Sequence, residues 1–162
     1  MRLDGKTAIV TGGASGFGEG IVRKFLHEGA RVVIADINRD AAHALAGELG
    51  ADAIAISADV TDGRSVEQLR TATKESFDHI DIVVNNAGVT HLPAALDEVT
   101  EEDFDRVFRV NCKSVYLMAK TFIPDMKARN AGVILNIAST AGVSPRPHLN
   151  WYNSSKGWMI TA

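Results

Sequence analysis

A tyrosine four residues ahead of a lysine on a helix places a phenol and an ammonium on one face, one turn apart. The positive charge favours the phenolate, and it is needed, because an unperturbed tyrosine titrates near pH ~10 and exchanges protons poorly at neutral pH. The 162-residue sequence holds that spacing twice, in Tyr116 with Lys120 and in Tyr152 with Lys156. Spacing alone does not choose between them. Tyr116 lies in the run Val115-Tyr116-Leu117-Met118-Ala119, whose apolar neighbours make it read as a packed core residue. Tyr152 instead follows a loop from Gly142 to Trp151, which leaves the apolar segment ending at Ser139. The hydroxyl of Ser139 is of the right type to bond a substrate carbonyl, although a serine there, taken alone, is also an ordinary turn residue.

A second chemistry is written near the N-terminus, in Thr11-Gly12-Gly13-Ala14-Ser15-Gly16-Phe17-Gly18. This turn joins a short apolar run to a helical pattern. Glycines there let the backbone turn sharply and approach a pyrophosphate, whose charge then sits at the positive end of the helix. The spacing is G-x-x-x-G-x-G, so the commoner G-x-G-x-x-G fingerprint is not matched, and a plain strand-to-helix turn is the alternative for the glycines alone. The next apolar run ends at Asp36, whose carboxylate can accept both hydrogen bonds from an adenosine ribose and would repel a 2'-phosphate. Together these features favour NAD over NADP, with Arg39 as the nearby residue that argues the other way. Asn85-Asn86-Ala87-Gly88 closes a further apolar run and either braces a ligand or forms a turn.

Elements that position these residues follow from the hydrophobic pattern. Thr7–Thr11, Arg31–Asp36, Ala53–Ser57, Ile80–Asn85 and Val133–Ser139 are short, β-branched and nearly continuous in apolar character, as in strands buried on both faces of a parallel sheet. Between them lie stretches with helical spacing, such as Ile21, Val22, Phe25 and Leu26, or Val66, Leu69 and Phe77. This alternation predicts right-handed βαβ units in a doubly wound α/β fold. Glu101 to Arg129 reads as helical, with Pro124 expected to kink or break it near its end.

Composition narrows the function. Seventeen Lys and Arg against twenty Asp and Glu give a net charge of -3, so no broad positive field exists for nucleic acid. One cysteine, Cys112, has no companion for a disulfide or a structural zinc, which points to a reducing cytoplasm. His79, His91 and His148 lack ligand spacing, so no metal is expected, and His27 and His43 read as helix surface. No apolar run approaches the ~18 residues needed to cross a bilayer, so no membrane partner is expected. Trp151 and Trp158 flank Tyr152, and packing is favoured for them over a substrate pocket.

These residues, in this order and spacing, resemble the N-terminal two thirds of a short-chain dehydrogenase/reductase. Gly12, Gly16 and Gly18 match that family's T-G-x-x-x-G-x-G turn, which also contains Ser15 and Phe17. Asp36 matches its ribose-binding acid, Asp59-Val60 its adenine-contacting pair, and Asn85 to Gly88 its N-N-A-G element, with Asn86, Ala87 and Gly88 against the cofactor. Asn111, Ser139, Tyr152 and Lys156 fall where the family places its catalytic asparagine, serine, tyrosine and lysine. The resemblance implies a Rossmann-like sheet of order 3-2-1-4-5 in one dinucleotide-binding domain over residues 1–162, incomplete before a sixth and seventh strand. It implies that Tyr152 moves the hydroxyl proton and Ser139 orients the carbonyl. Lys156 then holds the nicotinamide ribose and acidifies the phenol, while Asn111 anchors a relay water. A residue such as Asn111 within a helix can also simply bond a neighbouring carbonyl.

The expected activity is NAD-dependent interconversion of a small secondary alcohol and a ketone. A catalytically silent dinucleotide-binding fragment or interaction subunit is the alternative, and a sugar-nucleotide epimerase or dehydratase with a related Tyr and Lys pair fits the glycine spacing less well. The resemblance also implies a homodimer or homotetramer built on the Glu101–Arg129 helix and the one starting at Tyr152.

Overall fold

The computed structural model describes residues 1–162. Five strands form one parallel sheet: β1 (Thr7–Thr11), β2 (Arg31–Asp36), β3 (Ala53–Ser57), β4 (Ile82–Asn85) and β5 (Val133–Asn136). They lie in the order β3-β2-β1-β4-β5, the Rossmann-like arrangement that the resemblance implied. Helices α1 (Gly16–His27), α2 (Arg39–Leu49) and α3 (Gly63–Phe77) connect the first four strands. Between β4 and β5 run α4 (Glu101–Phe108), a π turn (Arg109–Lys113) and α5 (Ser114–Arg129). A 3₁₀ turn (Thr140–Gly142) and α6 (Asn150–Thr161) follow β5.

Because side chains alternate along a strand, each one feeds two cores. Ile9, Val33 and Val83 pack against Leu69 of α3 and Met118 and Phe122 of α5. Val10, Ile34 and Val84 pack on the other face, with Val22 of α1 and Leu45 of α2. Polar caps start three of the helices: Asn38 accepts from the Ala41 amide, Asp62 from those of Arg64 and Ser65, and Thr100 from that of Asp103. Register pairs Asp36 with Ser57 and Asn85 with Asn136, so the carboxyl ends of the strands make one continuous edge. In an open α/β sheet that edge is where ligands bind.

Four local readings of the sequence need correction. β4 begins at Ile82 rather than Ile80, because the Thr7 amide is taken by the Asp81 carboxylate at 3.0 Å instead of a strand carbonyl. β5 ends at Asn136 rather than Ser139, since the Ala138 amide turns back onto the Asn136 carbonyl at 3.1 Å. The irregularity in the long helical segment lies at the π turn and not at Pro124, which α5 passes to end at Arg129. An extra residue per turn at 109–113 resets the helical face, whereas Pro124 and Lys120, whose carbonyl would have taken its N–H, are both exposed, so the missing i→i−4 bond falls on the solvent side of α5. Finally, Tyr116 is 53% exposed rather than core, because Val115, Met118, Phe122 and Met126 form the buried stripe of α5 and leave Tyr116 off it.

At the opposite edge, Asp81 joins the strand starts. Its buried carboxylate accepts from the Thr7 amide at 3.0 Å and from Arg129 at 2.8 Å, with His79 at 3.3 Å and Lys6 at 3.9 Å. Burial alone would raise this carboxyl, but the Thr7 and Arg129 hydrogen bonds and the His79 and Lys6 charges together hold it below the usual range. A lowered folded value means a stabilising contribution that is complete above the unfolded value of ~3.9 and is lost as pH falls through the folded one. Asp81→Ala should cost about 3 kcal/mol at pH 7 by leaving the amide and guanidinium unpaired, measured by urea denaturation. Asp81→Asn should flatten the acid limb of stability below pH ~4; an unchanged limb contradicts the assignment.

Candidate active site

Glycines shape the cradle at the end of β1. Gly12 and Gly16 adopt left-handed conformations, with φ of 60° and 55°. At Gly18 a Cβ would lie 2.0 Å from the Gly12 carbonyl oxygen and 2.7 Å from Asn86 Nδ2, so only glycine lets α1 start against the turn. Thr11 and Asn86 staple this arrangement. The Thr11 hydroxyl donates to the Val84 carbonyl at 3.2 Å and accepts from the Asn86 and Ala87 amides at 3.0 and 3.1 Å. Asn86 Nδ2 donates to the carbonyls of Thr11 and Gly12 at 2.9 and 3.0 Å.

A groove of about 460 Å³ opens above the turn along the strand ends. Nine of the residues named from the sequence line it: Gly12, Ser15, Phe17, Asp36, Asp59, Val60, Asn86, Ala87 and Gly88. Gly16 and Gly18 lie outside the lining and act through the turn beneath it. Six lining residues were not named: Ala35, Ile37, Ala58, Thr61, Val89 and Val110. Ile37 and Phe17 stand at the surface, 73% and 86% exposed, and Ile37 directly after the strand-end Asp36 was the available signal. Asp36 holds the groove's shape as well as lining it, because its carboxylate accepts from the Ala14 amide at 3.0 Å and the Asn38 amide at 2.9 Å. Asp59 accepts from the amide and hydroxyl of Thr61, each at 2.8 Å.

Behind the groove wall at Gly88 stands Lys156. Its side chain is buried, and its ammonium donates to the Ile137 carbonyl at 2.9 Å. A Cβ on the groove residue Gly88 would lie 3.4 Å from Lys156 Nζ and 3.4 Å from Asn111 Oδ1, so the ammonium and that amide back the groove wall directly. The same ammonium is 6.0 Å from the centre of the Tyr152 ring, one turn away on α6. Burial pushes Lys156 below the usual lysine range and pushes the neighbouring Cys112 thiol up, against the opposing effect of the lysine charge. Ser139 caps the 3₁₀ turn, accepting from the Ala141 amide at 3.1 Å, which leaves its own hydroxyl hydrogen free to donate.

Asn111 is fully buried in the π turn. Its Oδ1 accepts from the Val89 amide at 2.9 Å, and its Nδ2 donates to the Val89 carbonyl and to Ser155 Oγ, each at 2.9 Å. The second Tyr and Lys pair is elsewhere. Lys120 lines a depression with Gly63, Glu67 and Arg70 of α3, and its ammonium lies 5.9 Å from the Tyr116 ring. Trp151 is packed, edge-on to Phe104 with centroids 5.1 Å apart and its indole N–H on the Leu96 carbonyl. His27 and His43 are exposed, whereas His91 is 2% exposed with Nδ1 2.7 Å from the Leu92 carbonyl.

The model of the family described as "short chain dehydrogenase" matches residues 6–161. The chain belongs to that family. Relatives within it include a 4-formylbenzenesulfonate dehydrogenase from Comamonas testosteroni, 44% identical over 99% of this chain and 65% of its own length. A sorbitol dehydrogenase from Cereibacter sphaeroides is 41% identical over 99% of this chain and 63% of its own. The crystal structure of a 3-ketoacyl-(acyl-carrier-protein) reductase from Brucella melitensis, complexed with NADH, superposes with a TM-score of 0.95 at 44% identity, covering 98% of this chain and 67% of that one. The chain thus spans 63–65% of the length of these two curated short-chain dehydrogenases. No helix is long and apolar enough to cross a membrane.

The closeness of α6 to the 3₁₀ turn depends on Gly142, where a Cβ would meet Gly157 N and the Lys156 carbonyl carbon, each at 2.8 Å. Gly142→Ala should therefore displace α6 and lower stability by about 1–3 kcal/mol. Chemical denaturation checks this, and an unchanged midpoint with an unchanged slope contradicts it.

Proposed function

We propose that this chain is the dinucleotide-binding and catalytic part, over residues 1–162, of an NAD-dependent oxidoreductase that interconverts a small secondary alcohol and a ketone. One observation carries the reading: the buried Lys156 ammonium backs the groove wall at Gly88 and also lies one helical turn from the Tyr152 phenol. On this reading the Tyr152 phenol, with the Lys156 charge to stabilise it, acts beyond the Gly88 wall of a groove that Asp36 also lines. The neighbour with the NADH complex supports the choice of cofactor, and the relatives named for sorbitol and for an aromatic aldehyde support small hydroxyl or carbonyl substrates.

The groove fits a dinucleotide on the structure's own terms. Gly12 lines the groove without a side chain, Gly18 lets α1 start against the turn beneath it, and Asp36 offers a carboxylate at the mouth where a 2'-phosphate would be repelled. NAD, when bound, supplies the acceptor or donor of the hydride. Gly12, Ser15, Gly16, Phe17 and Gly18 hold its pyrophosphate, Asp36 the adenosine ribose, Asp59 and Val60 the adenine, and Asn86, Ala87 and Gly88 the path towards Lys156. Lys156 binds the second ribose and stabilises the phenolate of Tyr152, which takes the hydroxyl proton in oxidation and returns one in reduction. Ser139 donates its free hydrogen to the substrate oxygen. Both side-chain hydrogens of Asn111 are already engaged, so a relay water is held by an oxygen of Asn111.

Following the near-ultraviolet absorbance of NADH while offering NAD with a panel of polyols and secondary alcohols tests the reading. NADH binding is followed in parallel by fluorescence. Binding with turnover supports it, whereas binding without any turnover supports the silent dinucleotide-binding reading. Tyr152→Phe should abolish turnover and leave NADH affinity within about twofold, since only the proton carrier is lost. Asp36→Ala should raise the use of NADP relative to NAD by at least about tenfold, as the repulsion of a 2'-phosphate disappears. An unchanged preference sinks that assignment.

A further inference from the structure

We infer that Ser155 is a positioning residue, which couples the groove wall at Val89 to the helical turn that carries Tyr152 and Lys156. The inference rests on the proposed role of that pair. Ser155 is fully buried and makes two hydrogen bonds through one oxygen: it accepts from Asn111 Nδ2 at 2.9 Å and donates to the Tyr152 carbonyl at 2.7 Å. Asn111, in turn, grips the Val89 backbone on both sides, amide and carbonyl, each at 2.9 Å. A continuous chain of bonds therefore runs from a residue lining the groove, through the π turn, to the backbone of Tyr152 itself.

The π turn makes this contact possible. Asn111 and Cys112 are consecutive yet both buried against α6, and the Cys112 thiol lies 3.8 Å from the Ser155 carbonyl. An unbroken α-helix separates consecutive side chains by about 100°, so widening the turn is what presents both to one neighbour. A serine hydroxyl bonding back to a carbonyl three residues earlier ties its side chain to the backbone of its own turn. Here that turn runs from Tyr152 to Ser155, with Lys156 next. Removing the oxygen leaves one Asn111 hydrogen buried without an acceptor and frees the first turn of α6 from the groove wall.

The test compares the native chain with Ser155→Ala and Ser155→Thr, the latter keeping the hydroxyl, and uses two readouts. Hydrogen exchange of the Val89 amide should be at least tenfold faster in Ser155→Ala and near native in Ser155→Thr. In turnover with NAD and an alcohol, kcat should fall at least tenfold in Ser155→Ala with KM for NAD within twofold, and Ser155→Thr should recover most of the loss. Faster exchange with kcat within twofold overturns the inference, because the hydroxyl is then only structural. Lost kcat with native exchange also overturns it, because the coupling does not run through Asn111 and Val89. If the native chain shows no turnover, the proposed function fails and the exchange readout alone decides the coupling. Should Ser155→Ala not fold, Ser155→Cys, of similar shape and far weaker hydrogen bonding, is read by the same criteria.

Discussion

A buried ammonium without a carboxylate beside it is the constraint around which this site is arranged. Lys156 has no salt-bridge partner, and its hydrogen-bonding contacts are the Ile137 carbonyl and a distant Met159 sulfur at 3.9 Å. Holding a charge there is costly, and the cost is what drives Lys156 below the usual lysine range. Any group that adds an acceptor at this point is therefore favoured, and the adjoining wall is Gly88, where no side chain intervenes. The end of β5, the 3₁₀ turn and α6 converge to keep the ammonium in place: Ile137 supplies the carbonyl and Gly142 lets α6 close over it.

The rest of the fold brings one groove up to that point. Parallel register brings Asp36 and the Asn85–Gly88 segment to the same edge, although 49 residues separate Asp36 from Asn85. Thr11 and Asn86 then lock the glycine turn to the end of β4 through bonds that involve no ligand, so the cradle is formed before anything binds. Asp36 does both jobs, tying the turn through Ala14 while presenting a carboxylate to the groove.

Much of this was legible in the sequence because it is carried by local signals. Glycine spacing, strand-end polar residues and β-branched runs each reflect a backbone requirement that a few neighbouring residues express, and three of the five strand spans coincide with those read from the pattern. The choice of Tyr152 over Tyr116 rested on chain path, and the two pairs do lie in different places, Lys120 beside α3 and Lys156 behind the groove. What escaped was set by contacts distant in sequence. Tyr116 looked buried from its neighbours, yet exposure depends on which stripe of α5 meets the sheet. Pro124 was a visible breaker, whereas the π turn has no composition signal and is fixed by how Asn111 and Cys112 meet α6. Thr11, Asp81 and Ser155 are common residue types whose roles appear only once their partners, 73, 74 and 44 residues away, are in place.

The most direct measurement is a crystal structure of the chain with NAD. It should show the adenosine ribose on Asp36 and the second ribose on the Lys156 ammonium, with the Tyr152 hydroxyl facing the nicotinamide. A dinucleotide lying elsewhere, or one in this groove with Lys156 bonded to Ile137 alone and Tyr152 turned away, would contradict the assignment of this site.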